Sequence, residues 1–105
     1  MPFISYLPSE KDMLVVETTA RFDDELVIIL DFIAEDSSER ALDFYDGLLE
    51  KLHDIPSNPY MYRKRESMDE DTRELIYKGY TVPLYIDKEK NIVFILGIFN
   101  QNLWE

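Results

Sequence analysis

The chain contains no cysteine. That excludes a disulfide frame, a thiol nucleophile and a thiolate metal site together. Histidine occurs once, as His53, and the three glycines form no phosphate-cradling loop and no nucleophile elbow. No apolar run reaches the length of a membrane span. The opening stretch, MPFISYLPSEKDM, lacks a charged leader. A soluble cytoplasmic protein is therefore expected. Positive charge is also scarce, with 11 Lys and Arg against 22 Asp and Glu and a net charge of −11. The imbalance sits in one half: residues 1–59 hold 14 acids and 4 bases, whereas residues 60–105 hold 8 and 7. Such a chain repels phosphate backbones, which counts against direct DNA binding and favours a basic protein partner.

What is present argues for one small folded domain. A length of 105 residues suffices for a single core, and 46% hydrophobic content is too high for a disordered chain. Residues 1–12, broken by Pro2 and Pro8, read as an N-terminal arm; residues 13–105 read as the domain.

The last third, from Thr72 to Trp104, is the most informative. Three apolar runs, Arg73–Tyr77, Tyr80–Asp87 and Ile92–Phe99, are cut by turn signals. Lys78-Gly79 suits a two-residue hairpin in which glycine takes positive φ. Lys88–Asn91 is a longer polar turn, so the three runs make an antiparallel meander. The final run is apolar on both faces, Ile92, Phe94, Leu96 and Ile98 on one and Val93, Ile95 and Phe99 on the other. Both faces need a cover. Pro83 falls inside the middle strand, where its missing N–H breaks a ladder bond, and a bulge at Pro83 is expected.

Earlier in the chain, Met13–Thr18 reads as a strand. From Ala20 to Glu35 the period becomes 3.6, with Phe22, Leu26, Ile29, Leu30 and Ile33 on one stripe. Val27, Ile28 and Phe32 add apolar surface off that stripe and predict a helix buried more than a simple amphipath. Asp36-Ser37-Ser38-Glu39 supplies a break and a new cap, with Asp36, Ser37 and Ser38 all candidates for the capping residue. The second helix runs to about His53 on a stripe of Ala41, Tyr45, Leu48, Leu49 and Leu52, with Leu42 and Phe44 nearby. The order β-α-α-β-β-β predicts an α+β fold, its helix hairpin packed on one face of a small, mainly antiparallel sheet.

Isolated chemistry is sparse. His53 ends a helix, where a capping or surface role outweighs catalysis. Asp69-Glu70-Asp71 lacks the alternation of a calcium loop. Arg63-Lys64-Arg65 is the only basic cluster, and acids follow it at once; an internal salt-bridge set outweighs nucleic-acid contact.

The element order, with Ala41-x-x-Phe44, Leu52-x-x-Ile55-Pro56, Arg73-Glu74-Leu75, Gly79-Tyr80, Tyr85 and Ile95-Leu96-Gly97-Ile98, resembles the RelE/ParE superfamily of bacterial type II toxin–antitoxin systems. The resemblance implies a growth-inhibiting toxin silenced by a cognate antitoxin, here expected to be basic and partly disordered when free. It offers two modes of action. RelE-like members cut mRNA on the ribosome with cations arranged around the sheet; ParE-like members inhibit DNA gyrase and cut nothing. The cation positions of the first group fall here on Thr72, Glu74, Thr81 and near Gln101, and the C-terminal tyrosine falls beyond Glu105. The resemblance therefore does not carry ribonuclease activity to this chain, and it implies no cofactor. A ParE-like toxin that acts by binding is the favoured expectation. The alternatives are a ribosome-dependent endonuclease with a rearranged site, for which Arg73, Arg63 and Arg65 are the catalytic candidates with Lys64 beside them, and a non-toxic regulatory binding module. For partner contact the candidates are Phe94, Phe99, Leu103 and Trp104, with Asp31 and Glu35 as charge contacts.

Overall fold

Both 3.6-residue stripes form helices. In the computed structural model, which describes residues 14–100, helix α1 spans Ala20–Asp36 and helix α2 spans Ser38–Asp54. Thr19 caps α1 by accepting from the Phe22 N–H (3.2 Å). One residue, Ser37, does two jobs at the hairpin. Its N–H donates to Ile33 O (2.9 Å) and closes α1, while its hydroxyl accepts from the Arg40 N–H (3.1 Å) and opens α2. Of the three candidate caps it is therefore Ser37 that serves; Asp36 instead pairs with Arg40 (2.7 Å).

The strands are β1 (Val15–Thr18), β2 (Thr72–Tyr77), β3 (Tyr80–Asp87), β4 (Ile92–Ile95) and β5 (Phe99–Asn100). They form one sheet in the order β1-β4-β3-β2, with β5 pairing β3. The β2–β3–β4 meander is antiparallel, and β1 joins β4 in parallel with Val15 opposite Ile92. Lys78 (φ 49°) and Gly79 (φ 87°) make the two-residue turn between β2 and β3, both left-handed as a hairpin of that length requires. The result is the two-layer α+β architecture expected, two helices on a mostly antiparallel sheet. Between the layers lie Phe22 and Leu26 of α1, Phe44, Leu48 and Leu52 of α2, Ile55, and an inner sheet face that includes Leu75, Tyr77, Val82, Leu84, Ile86, Val93 and Ile95. Tyr77 donates its hydroxyl to Phe44 O (2.9 Å). Gly47 passes so close that a Cβ there would overlap the same hydroxyl.

Four expectations fail, at Pro83, at Ile98 and on each helix. The ladder between β2 and β3 runs unbroken through Pro83, which sits opposite Glu74. There is no bulge in Pro83's own strand because its ring nitrogen points the other way. Pro83 O accepts from the Leu96 N–H (2.8 Å), so the nitrogen side of Pro83 faces β4 and β5. The irregularity lies there instead. Ile95 pairs with Leu84 and Phe99 with Thr81, so four steps on one chain oppose three on the other. One extra residue at Leu96–Ile98 splits the expected last strand into β4 and β5.

That extra residue also corrects the face assignment. Strict alternation puts Ile98 on the face of Phe94; the insertion shifts it by one, and Ile98 is buried in the core with Val93 and Ile95. The helices differ too. In α2 the core residue is Phe44, while Tyr45 and Leu49 are exposed. In α1, Val27, Ile28 and Phe32 are exposed, the last two at 69% and 70%. Helix α1 is thus not buried more deeply than an amphipath; it carries a second apolar face to solvent.

Candidate partner-binding surface

The backbone groups released by the split strand are reclaimed by α1 and its cap. Thr19 N–H donates to Ile95 O (3.2 Å), and the Thr19 hydroxyl reaches Ile95 O (2.9 Å) and Leu96 O (3.2 Å). The Glu25 carboxylate accepts from the Ile98 N–H (2.8 Å) and from Arg21 (3.1 Å). A buried strand interruption needs such partners, because an unpaired backbone group costs about 1–3 kcal/mol. Gly97 makes the approach feasible: a Cβ there would lie 2.6 Å from Glu25 Oε1. The clamp fixes β5 beside α1 and leaves a groove between them.

That groove has a volume of about 410 Å³ and is lined by Glu25, Ile28, Ile29, Phe32, Tyr80, Ile98, Phe99 and Asn100. Ile28 and Phe32 are one turn apart and share its outer wall. Beyond them α1 is acidic; Asp31 and Glu35 lie on the exposed helix surface, Asp31 toward α2 and Glu35 toward Arg40.

The candidate contacts proposed from sequence are therefore only partly gathered. Phe99 lines the groove. Asp31 and Glu35 stand on the same helix as Ile28 and Phe32. Phe94 does not join them; it is half-buried on the sheet face turned away from the helices, opposite Tyr85 and Glu17. Leu103 and Trp104 lie outside the described residues, as does the N-terminal arm. Sequence reasoning missed Ile28, Phe32 and Tyr80. The signal is an i, i+4 pair, Ile28 and Phe32, off the core stripe, a pattern that fits deeper burial and a second exposed face alike.

The catalytic candidates have other occupations. Arg63 and Arg65 converge on the Glu74 carboxylate at 2.6 Å and 3.0 Å. Glu74 is 4% exposed, its partners 47% and 51%. The backbone joins in, with Arg63 and Glu74 exchanging N–H to O bonds of 3.3 Å and 2.9 Å that cover the outer edge of β2. Arg73 alternates to the opposite face of that strand. Its guanidinium donates to Glu70 O (2.7 Å), Thr72 O (2.9 Å) and Tyr60 O (3.4 Å), and stacks over the Tyr60 ring at 4.9 Å. Lys64 is exposed. The four cations do not meet at a common point. Around them Tyr60 donates to Asp71 (2.8 Å), which also pairs with Lys88 (3.3 Å). Burial, then the hydrogen bond to Asp71, pushes the Tyr60 hydroxyl up to about 12. The same bond, with Lys88 assisting, holds Asp71 below its ordinary value.

The architecture defines a class, a small α+β domain with a helix hairpin over a mixed sheet and an open apolar groove at one edge. Residues 16–102 match the family model described as "ParE toxin of type II toxin-antitoxin system, parDE". The chain belongs to that family of type II toxin–antitoxin toxins. Among solved structures it is similar to a chain of the chromosomal ParDE TA system from P. aeruginosa, with 18% identity over 85% of this chain and 97% of that one and a TM-score of 0.69. Comparison with curated proteins found no match. Among the described residues no helix is long and apolar enough to cross a membrane.

Proposed function

We propose that this chain is a toxin that acts by binding a protein, with DNA gyrase as the target, and that a cognate antitoxin neutralises it by filling the groove between α1 and β5. The carrying observation is the pair Ile28 and Phe32, large apolar side chains left in solvent on a groove that Phe99 and Tyr80 complete. Exposed apolar surface of this kind, rimmed by charge, marks a protein-interaction site. Family membership supports the toxin reading, and the ParDE origin of the similar structure supports a proteinaceous antidote. The engagement of Arg63, Arg65 and Arg73 within the fold supports binding over cleavage.

The test has two arms. Expression of the chain alone should arrest growth, and co-expression with the product of the neighbouring small gene should relieve the arrest and yield a stable complex. Phe32→Ser should weaken that complex about tenfold or more while leaving the fold intact. Purified chain should then inhibit supercoiling by gyrase. Codon-periodic mRNA cuts that vanish in Arg73→Ala would instead establish the endonuclease alternative. Full expression without toxicity, with a tight complex, would establish the regulatory one.

A further inference from the structure

The two outer edges of the sheet are not treated alike. At β2 the edge is covered by Arg63, whose backbone exchanges hydrogen bonds with Glu74. At β1 the edge is bare among the described residues, where β1 pairs only with β4. Val15 N–H donates to Asn91 O (3.0 Å) and Thr19 N–H to Ile95 O (3.2 Å), so by alternation the backbone groups of Leu14, Val16 and Thr18 point outward from the sheet. Beside that edge lies an apolar trough of about 480 Å³, lined by Val16 and Thr18 of β1, by Leu49, Leu52 and His53 of α2, and by Pro56 beyond it. Leu49 is exposed on its wall. An unpaired strand edge next to uncovered apolar surface is a template for one more strand.

We propose that the chain's own N-terminal arm supplies that strand, with residues 3–7 antiparallel to β1 and Ile4 and Tyr6 laid over the trough and its continuation at Leu14. The arm, which lies outside the described residues, joins the fold at Leu14, the start of this same edge. Residues 8–12, Pro-Ser-Glu-Lys-Asp, are a polar turn of a length that hairpins use. A five-residue loop there sets Tyr6 opposite Leu14, Ser5 opposite Val15, Ile4 opposite Val16 and Phe3 opposite Glu17. Directly opposite residues share a face, and Leu14 and Val16 pack toward the core, so Ile4 and Tyr6 fall on the trough side and polar Ser5 on the open side. In this register the outward backbone groups of Val16 meet Ile4 and those of Leu14 meet Tyr6. Pro2 falls opposite Thr18 at the strand's end, where its carbonyl still accepts from the Thr18 N–H, and Pro8 lies in the turn. A second copy is the poorer occupant, because it would bring Glu17 and a net charge of −11 against their equals. The inference concerns a different face from the groove beside β5 and does not rest on the toxin reading.

The absence of cysteine makes the register directly testable in the full chain. Ser5→Cys with Val15→Cys should form an intramolecular disulfide under mild oxidation, because a directly opposite, non-hydrogen-bonded pair sets its Cα atoms about 4.5 Å apart. Ser5→Cys with Thr18→Cys, on opposite faces, should cross-link about tenfold less. In the unsubstituted chain the Val16 and Thr18 amides should be protected from hydrogen exchange. Ile4→Asp should speed both about tenfold or more, while the Thr19 amide, bonded to Ile95, changes less than about threefold and reports an intact fold. Fast exchange of Val16 and Thr18 in the unsubstituted chain, insensitivity to Ile4→Asp, or equal cross-linking of the two cysteine pairs would overturn the proposal. So would a disulfide formed only between molecules, which would assign the edge to a second copy. Protection of Val16 and Thr18 that appears only with the neighbouring gene's product bound would overturn it too, and would assign the edge to a partner's strand.

Discussion

Strand β2 and helix α1 both carry dense charge, yet they handle it in opposite ways. Around β2, Arg63 and Arg65 close on Glu74, Arg73 closes on backbone carbonyls, and Tyr60, Asp71 and Lys88 form their own set. Along α1, Asp31 and Glu35 stand in solvent beside uncovered Ile28 and Phe32. The first arrangement keeps its hydrogen-bonding capacity inside the fold and covers an edge strand. The second leaves apolar area and charge available together, which is what an incoming chain requires. Under the proposed reading, the chain's only basic cluster serves the fold, while the acidic helix carries the candidate contact surface.

The most damaging way to attack this contrast is to strip the arginines from Glu74. Arg63→Ala with Arg65→Ala leaves a carboxylate buried without a cation, and should cost about 3 kcal/mol of unfolding free energy in urea. Glu74→Leu in the same assay should cost less, because half-exposed guanidinium groups remain hydrated. If the order is reversed, the cluster is not a burial-driven ion pair. A smaller effect is expected at Gly47. Alanine there gains helix propensity but meets the Tyr77 hydroxyl, so Gly47→Ala should destabilise by about 1–2 kcal/mol. In a Tyr77→Phe background the sign should reverse, and a double-mutant cycle reads the coupling directly.

On the open side, Phe32→Ser should move stability by less than about 0.5 kcal/mol while its effect on complex formation is large. Comparable losses in both assays would mean that Phe32 is a core residue after all. The smallest effects concern pH. Tyr60 has a raised value in the fold, near 12 against an ordinary 10.0, so the stability it contributes is complete below about pH 10 and lost as pH climbs toward 12. Asp71 is depressed below its ordinary 3.8, so its contribution is present above that value and lost as pH falls through the depressed one. Tyr60→Phe should flatten the alkaline limb and the part of the acid limb that Asp71 owes to the hydroxyl, as seen in Tm against pH.

Much of the fold was legible because it depends on one chain's own periodicity. The helix limits, the Lys78-Gly79 turn and β3 all follow from local spacing. The bulge was not legible, since it is a relation between two strands: Pro83 announced an irregularity, but the direction of its ring nitrogen assigned it to Leu96–Ile98. The face of Ile98 was lost with it. Of the candidate groove, the sequence pointed to Phe99, with Asp31 and Glu35 elsewhere on α1, and did not point to Ile28, Phe32 or Tyr80. An apolar residue off the main stripe signals either deeper burial or a second face, and hydropathy alone does not separate the two. Arg73-Glu74 drew attention as a family marker; only the alternation of β2 reveals that the two side chains serve different clusters.

The parallel pairing of β1 with β4 has a consequence for how the chain comes to be folded. Val15 waits for Ile92, and Thr19 for Ile95 and Leu96. A nascent chain that has been synthesised only as far as Asp87 owns both helices and the β2–β3 hairpin, yet has no strand on which β1 can be laid. Loop closure over so long a separation is slow relative to helix and hairpin formation. During that interval the core of Phe22, Leu26 and Leu48 lacks the part of its cover that Val93, Ile95 and Ile98 supply. A partner already present at synthesis would therefore meet a chain whose permanent and temporary apolar faces have not yet become distinct.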